Sequence, residues 1–161
     1  GGTGSRSEEE YQPDFLPDKF ESGTLNIVGI AGLGAGVRYV MNKGIENIRK
    51  EECKLTQKLI DGLSCIPKVK VYGDLDAEKR VGVVSFNIEG LSPSEVALYL
   101  EERFDILCRA SLHCAPSAHK TIGTFPDGTV RLSLGIFNTD DDVNFVIDAV
   151  RKIAEDEGHG L

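Results

Sequence analysis

Between Arg109 and Lys120 runs RASLHCAPSAHK, in which Cys114 directly follows His113, with Arg109 upstream and His119 downstream. A thiol in that company has three possible employments: nucleophile, metal ligand or small apolar filler. A nucleophilic cysteine must be a thiolate near neutral pH, and cationic neighbours lower its pKa from about 8.5. Arg109 and a protonated His113 are placed to do so if the segment folds them towards the sulfur. The stretch has neither strand alternation nor a helical apolar face, so it reads as a loop, which lets a thiol reach a substrate held elsewhere. As zinc ligands, Cys108, His113, Cys114 and His119 lack the short pair spacing of structural sites, and adjacent His113 and Cys114 suit one tetrahedral ion poorly. As filler, Cys114 would want apolar neighbours, and it has polar ones.

Two other segments bear on chemistry. In TVRLSLGIF, Val130, Leu132 and Leu134 alternate with Arg131 and Ser133. If the first three face a core, Arg131 lies on the opposite face, either solvated or offering its fork to a carboxylate. The glycine-rich GIAGLGAG, Gly29 to Gly36, resembles a phosphate cradle superficially, but no strand precedes it. Close helix packing through small residues is the better account of it.

These residues need elements to hold them. Residues 1–24 are polar and rich in Gly, Pro and Asp, an extended lead-in. From about Asn26 to Leu63 the apolar spacing is helical, and Gly44 predicts two helices or one bent one. KVKVYG and RVGVVSFNIEG alternate as strands, the second most strongly. LSPSEVALYLEERF carries a helix start, with Ser92 as N-cap, Pro93 in the first turn and Glu95 completing a capping box. A short strand is expected from Asp105 to Arg109, and another over GTVRLSLGIF. NTDDDVNFVIDAVRKIA predicts a last helix capped by Thr139, its three aspartates near the positive end of the dipole, and the tail EDEGHGL is expected to fray. The order implies an α+β fold in which helices cover a small, mostly antiparallel sheet, preceded by a long or bent connecting helix.

The chain of 161 residues has length for one domain and a real core. With 18 basic and 26 acidic residues its net charge is −8, which disfavours nucleic acid and anionic membranes as partners. No apolar run approaches the roughly 20 residues of a membrane span, and the chain is expected to be soluble and cytoplasmic. Cys53, Cys65, Cys108 and Cys114 are too sparse for a disulfide scaffold and are expected to be reduced. The chain opens on GGTGS without a methionine, and is expected to be a piece of a longer protein.

Taken in order, GGTGS, FESGTLN, RASLHCAP and GTVRLSLGIFNT resemble the C-terminal part of pyridoxal-phosphate enzymes of the class V aminotransferase family (fold type I), in its cysteine desulfurase branch. That resemblance implies that residues 1–25 are a lead-in belonging to a large domain, and that 26–161 form a connecting helix and the C-terminal small domain. It assigns Cys114 the desulfurase nucleophile and Arg131 the grip on the substrate carboxylate. Arg109 and His113 match loop positions beside the nucleophile. Thr24 matches a threonine reaching the cofactor phosphate of a partner subunit, which implies a homodimer, and Gly1 and Gly2 match a glycine pair near the neighbouring site. Ser111 stands where the family pattern has glycine, which puts the backbone freedom of the loop in question.

The implied chemistry converts L-cysteine to L-alanine, leaving the sulfur as a persulfide on Cys114, with a sulfur-acceptor protein as a further partner. The Schiff-base lysine of such enzymes precedes GGTGS, and Lys120, which follows the cysteine, is no substitute. The isolated chain is therefore expected to bind no pyridoxal phosphate and to be inactive. The alternatives are a class V aminotransferase or lyase acting on another amino acid, or a non-catalytic sulfur-carrier or zinc-binding module.

Overall fold

The computed structural model describes residues 4–156. The chain divides into two compact units, Gly1–Ile45 and Glu46–Leu161. In the first, the lead-in contains two short 3-10 turns, Gly4–Arg6 and Asp18–Phe20, followed by helix α1, Ile27–Lys43. Asn26 caps α1, its side chain accepting from the Gly29 amide at 2.9 Å. The glycines from Gly29 to Gly36 all lie inside this helix, so they form no phosphate-binding loop. None of the α1 side chains is buried among the described residues, although Ile27, Val28, Leu33 and Met41 are apolar and exposed. Gly44, at φ +82°, ends α1, a conformation that glycine adopts without the Cβ penalty.

Helix α2 (Ile45–Ser64) starts at the boundary, and the second unit holds all of it but Ile45, with β1 (Val69–Tyr72), β2 (Val83–Ile88), α3 (Pro93–Phe104), α4 (Pro116–Ile122), β3 (Val130–Ser133) and α5 (Asp140–Asp156). The break expected at Gly44 is thus present, between α1 and α2. The three strands form an antiparallel sheet in the order β1–β2–β3. Phe86, fully buried on the central strand, stands opposite Val71 on one side and Val130 on the other. Alternation puts Val84, Ile88 and Leu132 on that same face. Against it pack Leu59, Ile60 and Leu63 of α2, Val96 and Leu100 of α3, and Val150 and Ile153 of α5. At roughly 1.5–3 kcal/mol per buried aliphatic or aromatic side chain, this one cluster supplies most of the driving force for the unit. The opposite face carries Lys70, Ser85, Asn87 and Arg131.

The capping predictions are borne out in detail. The Ser92 hydroxyl accepts from the Glu95 amide while the Glu95 carboxylate accepts from the Ser92 amide at 2.8 Å. Thr139 and Asp142 reciprocate in the same way at α5. Three expectations need correction. Asp105–Arg109 is not a strand: Asp105 closes α3 in the left-handed region at φ +55°, and only Arg109 bridges to β3. The strand over GTVRLSLGIF stops at Ser133, where its partner β2 ends at Val83, and Asn138 folds back on Gly135. The stretch after Cys114 is not all loop, because α4 starts at Pro116. The last helix continues through Asp156, and the rest of the tail lies outside the described residues.

Candidate active site

The segment leaving α3 runs antiparallel beside β3. The Arg109 amide donates to the Arg131 carbonyl at 3.1 Å and the Arg131 amide returns a bond to the Arg109 carbonyl at 2.7 Å. Two residues on, the Thr129 amide donates to the Ser111 carbonyl at 3.2 Å. His113 then closes the contact, its Nε2 lying 3.1 Å from the Thr129 carbonyl. The cysteine loop is therefore stitched to the β3 edge of the sheet, and both arginines project from one face of the pair.

The loop backbone is unusual. Ser111 (φ +86°), His113 (φ +50°) and Cys114 (φ +60°) all lie in the left-handed region, which is sparsely populated by residues with a Cβ. Ser111 thus takes up the conformation for which glycine is better suited, at a cost on the order of 1–3 kcal/mol. Cys114 emerges exposed, one residue before the N-cap of α4. It is followed by Pro116 in the first turn of that helix.

Electrostatically the site is cationic and short of partners. Arg131 is half-buried, and its Nε is shielded from solvent with no hydrogen-bond partner among the described residues. A carbonyl can only accept, so His113 donates from Nε2, and in the neutral ring Nδ1 keeps its lone pair. That Nδ1 is also buried without a partner. Burial, then the charge of Arg131, lowers the pKa of His113 below its ordinary value, with His119 and Arg109 adding to the effect and the Thr129 carbonyl opposing it. His113 is consequently neutral near pH 7, and a protonated His113 is not what supports a Cys114 thiolate.

The remaining sequence candidates fall elsewhere or play other parts. His119 is buried, its Nδ1 2.7 Å from the Thr124 hydroxyl and its ring 5.8 Å from that of His113. Cys108 is half-buried, and desolvation, followed by Glu101, raises its pKa. Cys53 is buried and Cys65 exposed, and all four cysteines are free thiols. Among the described residues no group of three His, Cys, Asp or Glu side chains gathers to hold a metal. Lys120 lies over the Phe125 ring at 5.0 Å. Thr24 is exposed, two residues before the cap of α1. Gly1 and Gly2 lie outside the described residues. Sequence reasoning missed Asn87, Gly128 and Thr129, which seat the loop; the signal for Gly128 was the Asp-Gly turn ahead of the strand.

Tested against pyridoxal phosphate, the donor set fits in part. The unpartnered Arg131 Nε suits an entering carboxylate. Neither RASLHC nor β3 contains a lysine that could form a Schiff base there.

Comparison with known proteins bears on the family and the fold. Residues 1–146 match the family described as aminotransferase class-V. A probable cysteine desulfurase of Methanothermobacter thermautotrophicus is 38% identical over 149 residues, covering 92% of this chain and 37% of the relative. An apo cysteine desulfurase from Thermococcus onnurineus superposes with a TM-score of 0.80 at 36% identity, covering 87% of this chain and 34% of that one. The cysteine desulfurase of Escherichia coli in its S-sulfonic acid form gives 0.76 at 27% identity, covering 86% and 33%. The chain thus spans about a third of the length of the relatives it matches. A sequence match over nearly the whole chain, joined to a fold shared with solved relatives, leaves one conclusion: the chain belongs to the class-V aminotransferase family.

Proposed function

We propose that this chain is the C-terminal part of a pyridoxal-phosphate-dependent cysteine desulfurase, with Cys114 as the acceptor of the substrate's sulfur. The observation that carries the reading is the exposed Cys114 on a loop stitched to β3 beside Arg131, whose buried Nε is unpartnered. The relatives named as cysteine desulfurases support it. Residues 1–25 would belong to the large domain and 26–161 would form the connecting helix and the small domain.

Bound pyridoxal phosphate supplies the electron sink that allows a carbon–sulfur bond of the substrate to break. Thr24 would hold its phosphate, from a partner subunit of a homodimer, with Gly1 and Gly2 near the same neighbouring site; the lysine that anchors it lies outside this chain. Arg131 grips the carboxylate of L-cysteine through two parallel hydrogen bonds and so fixes where the sulfur sits. Arg109, on the same face, adds positive charge at that end of the substrate. His113 stays neutral and ties the loop to Thr129. Cys114, as thiolate, bonds to the substrate sulfur and carries it away as a persulfide, and the substrate leaves as L-alanine. The persulfide on an exposed residue is open to a sulfur-acceptor protein, and the cytoplasm, where thiols stay reduced, suits this chemistry.

The test is to supply L-cysteine to the whole pyridoxal-phosphate-loaded protein that carries this chain. Equimolar alanine and sulfide, in the presence of a reductant, supports the reading. Turnover of another amino acid with no sulfur released would replace it by an aminotransferase or lyase.

A further inference from the structure

We infer that the turn Gly128–Thr129, braced by Asn87, is a clasp that seats the cysteine loop and thereby positions Cys114. The inference rests on the proposed reading of Cys114 only for its catalytic consequence.

Five observations carry it. A Cβ on Gly128 would come within 2.2 Å of the carbonyl carbon and oxygen of Ser111, so only a glycine lets the two backbones meet. Gly128 also needs its φ of +85°. Thr129, buried, uses both of its backbone groups on the loop: its amide donates to Ser111 at 3.2 Å and its carbonyl accepts from His113 at 3.1 Å. Asn87, on the central strand, donates from Nδ2 to the Gly128 carbonyl at 3.1 Å and so ties the turn to the sheet. Finally, the clasped segment is the strained one, with Ser111, His113 and Cys114 all at positive φ.

A strained loop keeps its conformation only while its surroundings over-determine it. Release of the clasp lets Ser111 relax towards an ordinary backbone, and Cys114 moves with it. Arg131 belongs to β3 and stays in place. Asn87, Gly128 and Thr129 touch no substrate in this account, which makes them positioning residues. Their loss should impair sulfur transfer to Cys114 while leaving carboxylate binding largely intact.

The experiment compares wild type, Gly128→Ala and Asn87→Ala in the whole protein that carries this chain, by amide hydrogen exchange and by steady-state kinetics with L-cysteine. In Gly128→Ala the amides of Thr129 and Ala115 should exchange about tenfold faster, the scale of one released strained residue, while Val150 in α5 stays within about twofold. The kcat should fall about tenfold with KM within about twofold. If Gly128→Ala does not fold, Asn87→Ala, which leaves the backbone of residue 128 undisturbed, should show the same pattern at about threefold. Exchange at Thr129 and Ala115 unchanged in a variant that folds, or acceleration shared equally by Val150, overturns the clasp. A wild type with no desulfurase activity whose loop exchange still responds would instead overturn the proposed reaction and leave the clasp standing.

Discussion

Arg109 and Arg131 face each other across an antiparallel bridge, joined by two backbone hydrogen bonds of 3.1 and 2.7 Å. Directly opposed residues share a face, and two like charges there oppose folding by a few tenths to about 1 kcal/mol. An anion between them reverses that sign. On the proposed reading, the carboxylate of the substrate would offset that repulsion.

For Arg131 the consequence is specific. If Arg131 holds the substrate carboxylate as proposed, Arg131→Ala removes a charge-assisted interaction of about 1.5–3 kcal/mol, so KM for L-cysteine should rise roughly 10- to 150-fold, with kcat less affected. Arg131→Lys should recover only part of the loss, since an ammonium cannot offer the planar fork. Initial-rate kinetics on the loaded protein measure both; an unchanged KM in Arg131→Ala would place the carboxylate elsewhere.

The burial of His113 beside Arg131 sets the sign of a pH dependence of the fold. Its pKa is depressed in the folded state, chiefly by burial and Arg131, below the ordinary 6.5. The unfolded chain then binds the proton more tightly, so the contribution of neutral His113 is complete above about pH 6.5 and is lost as the pH falls below it. Melting temperature should begin to decline in that window, above the range where Asp76, Glu95 and Asp140, all with lowered pKa values, are protonated. His113→Gln, which keeps a donor for Thr129, should remove the upper part of the decline. Thermal melts of the two proteins from pH 7.5 to 5 check it, and superimposable pH curves would contradict it.

Ser92 tests the secondary structure. Its hydroxyl and Glu95 satisfy the first amides of α3 reciprocally, and Ser92→Ala should cost about 1 kcal/mol in urea unfolding, with Ser92→Gly costing only a few tenths. Equal losses for the two would mean that the cap is not the source of the effect.

Much of this molecule could be read before any coordinate. Alternation in RVGVVSFNIEG, the capping box at Ser92 and the three aspartates after Thr139 are local signals, and each element formed where its own residues favoured it. Cys114 and Arg131 were likewise visible as residue types in context, and the structure sets their backbones on neighbouring segments. What escaped was non-local. Helix α4 has one buried side chain, His119, and no apolar stripe, so only Pro116 and Gly123 at its ends announced it. The alternation of TVRLSLGIF runs past the strand because a strand lasts only as long as its partner, and β2 begins at Val83. The neutral state of His113 depends on Arg131, on another segment, and on burial, neither of which spacing reveals. Asn87 and Gly128 read as a strand residue and a turn residue; their role exists only because Ser111 comes to lie against them.

The central claim is that Cys114 receives the sulfur. It is tested by reacting the loaded whole protein with one equivalent of L-cysteine, omitting reductant, alkylating, and locating the added sulfur by peptide mass spectrometry. A gain of one sulfur atom on the peptide containing Cys114, with one alanine released and neither product formed by Cys114→Ser, is the predicted result. Alanine release at the wild-type rate by Cys114→Ser, or the added sulfur on Cys65 or Cys108 in place of Cys114, would contradict it.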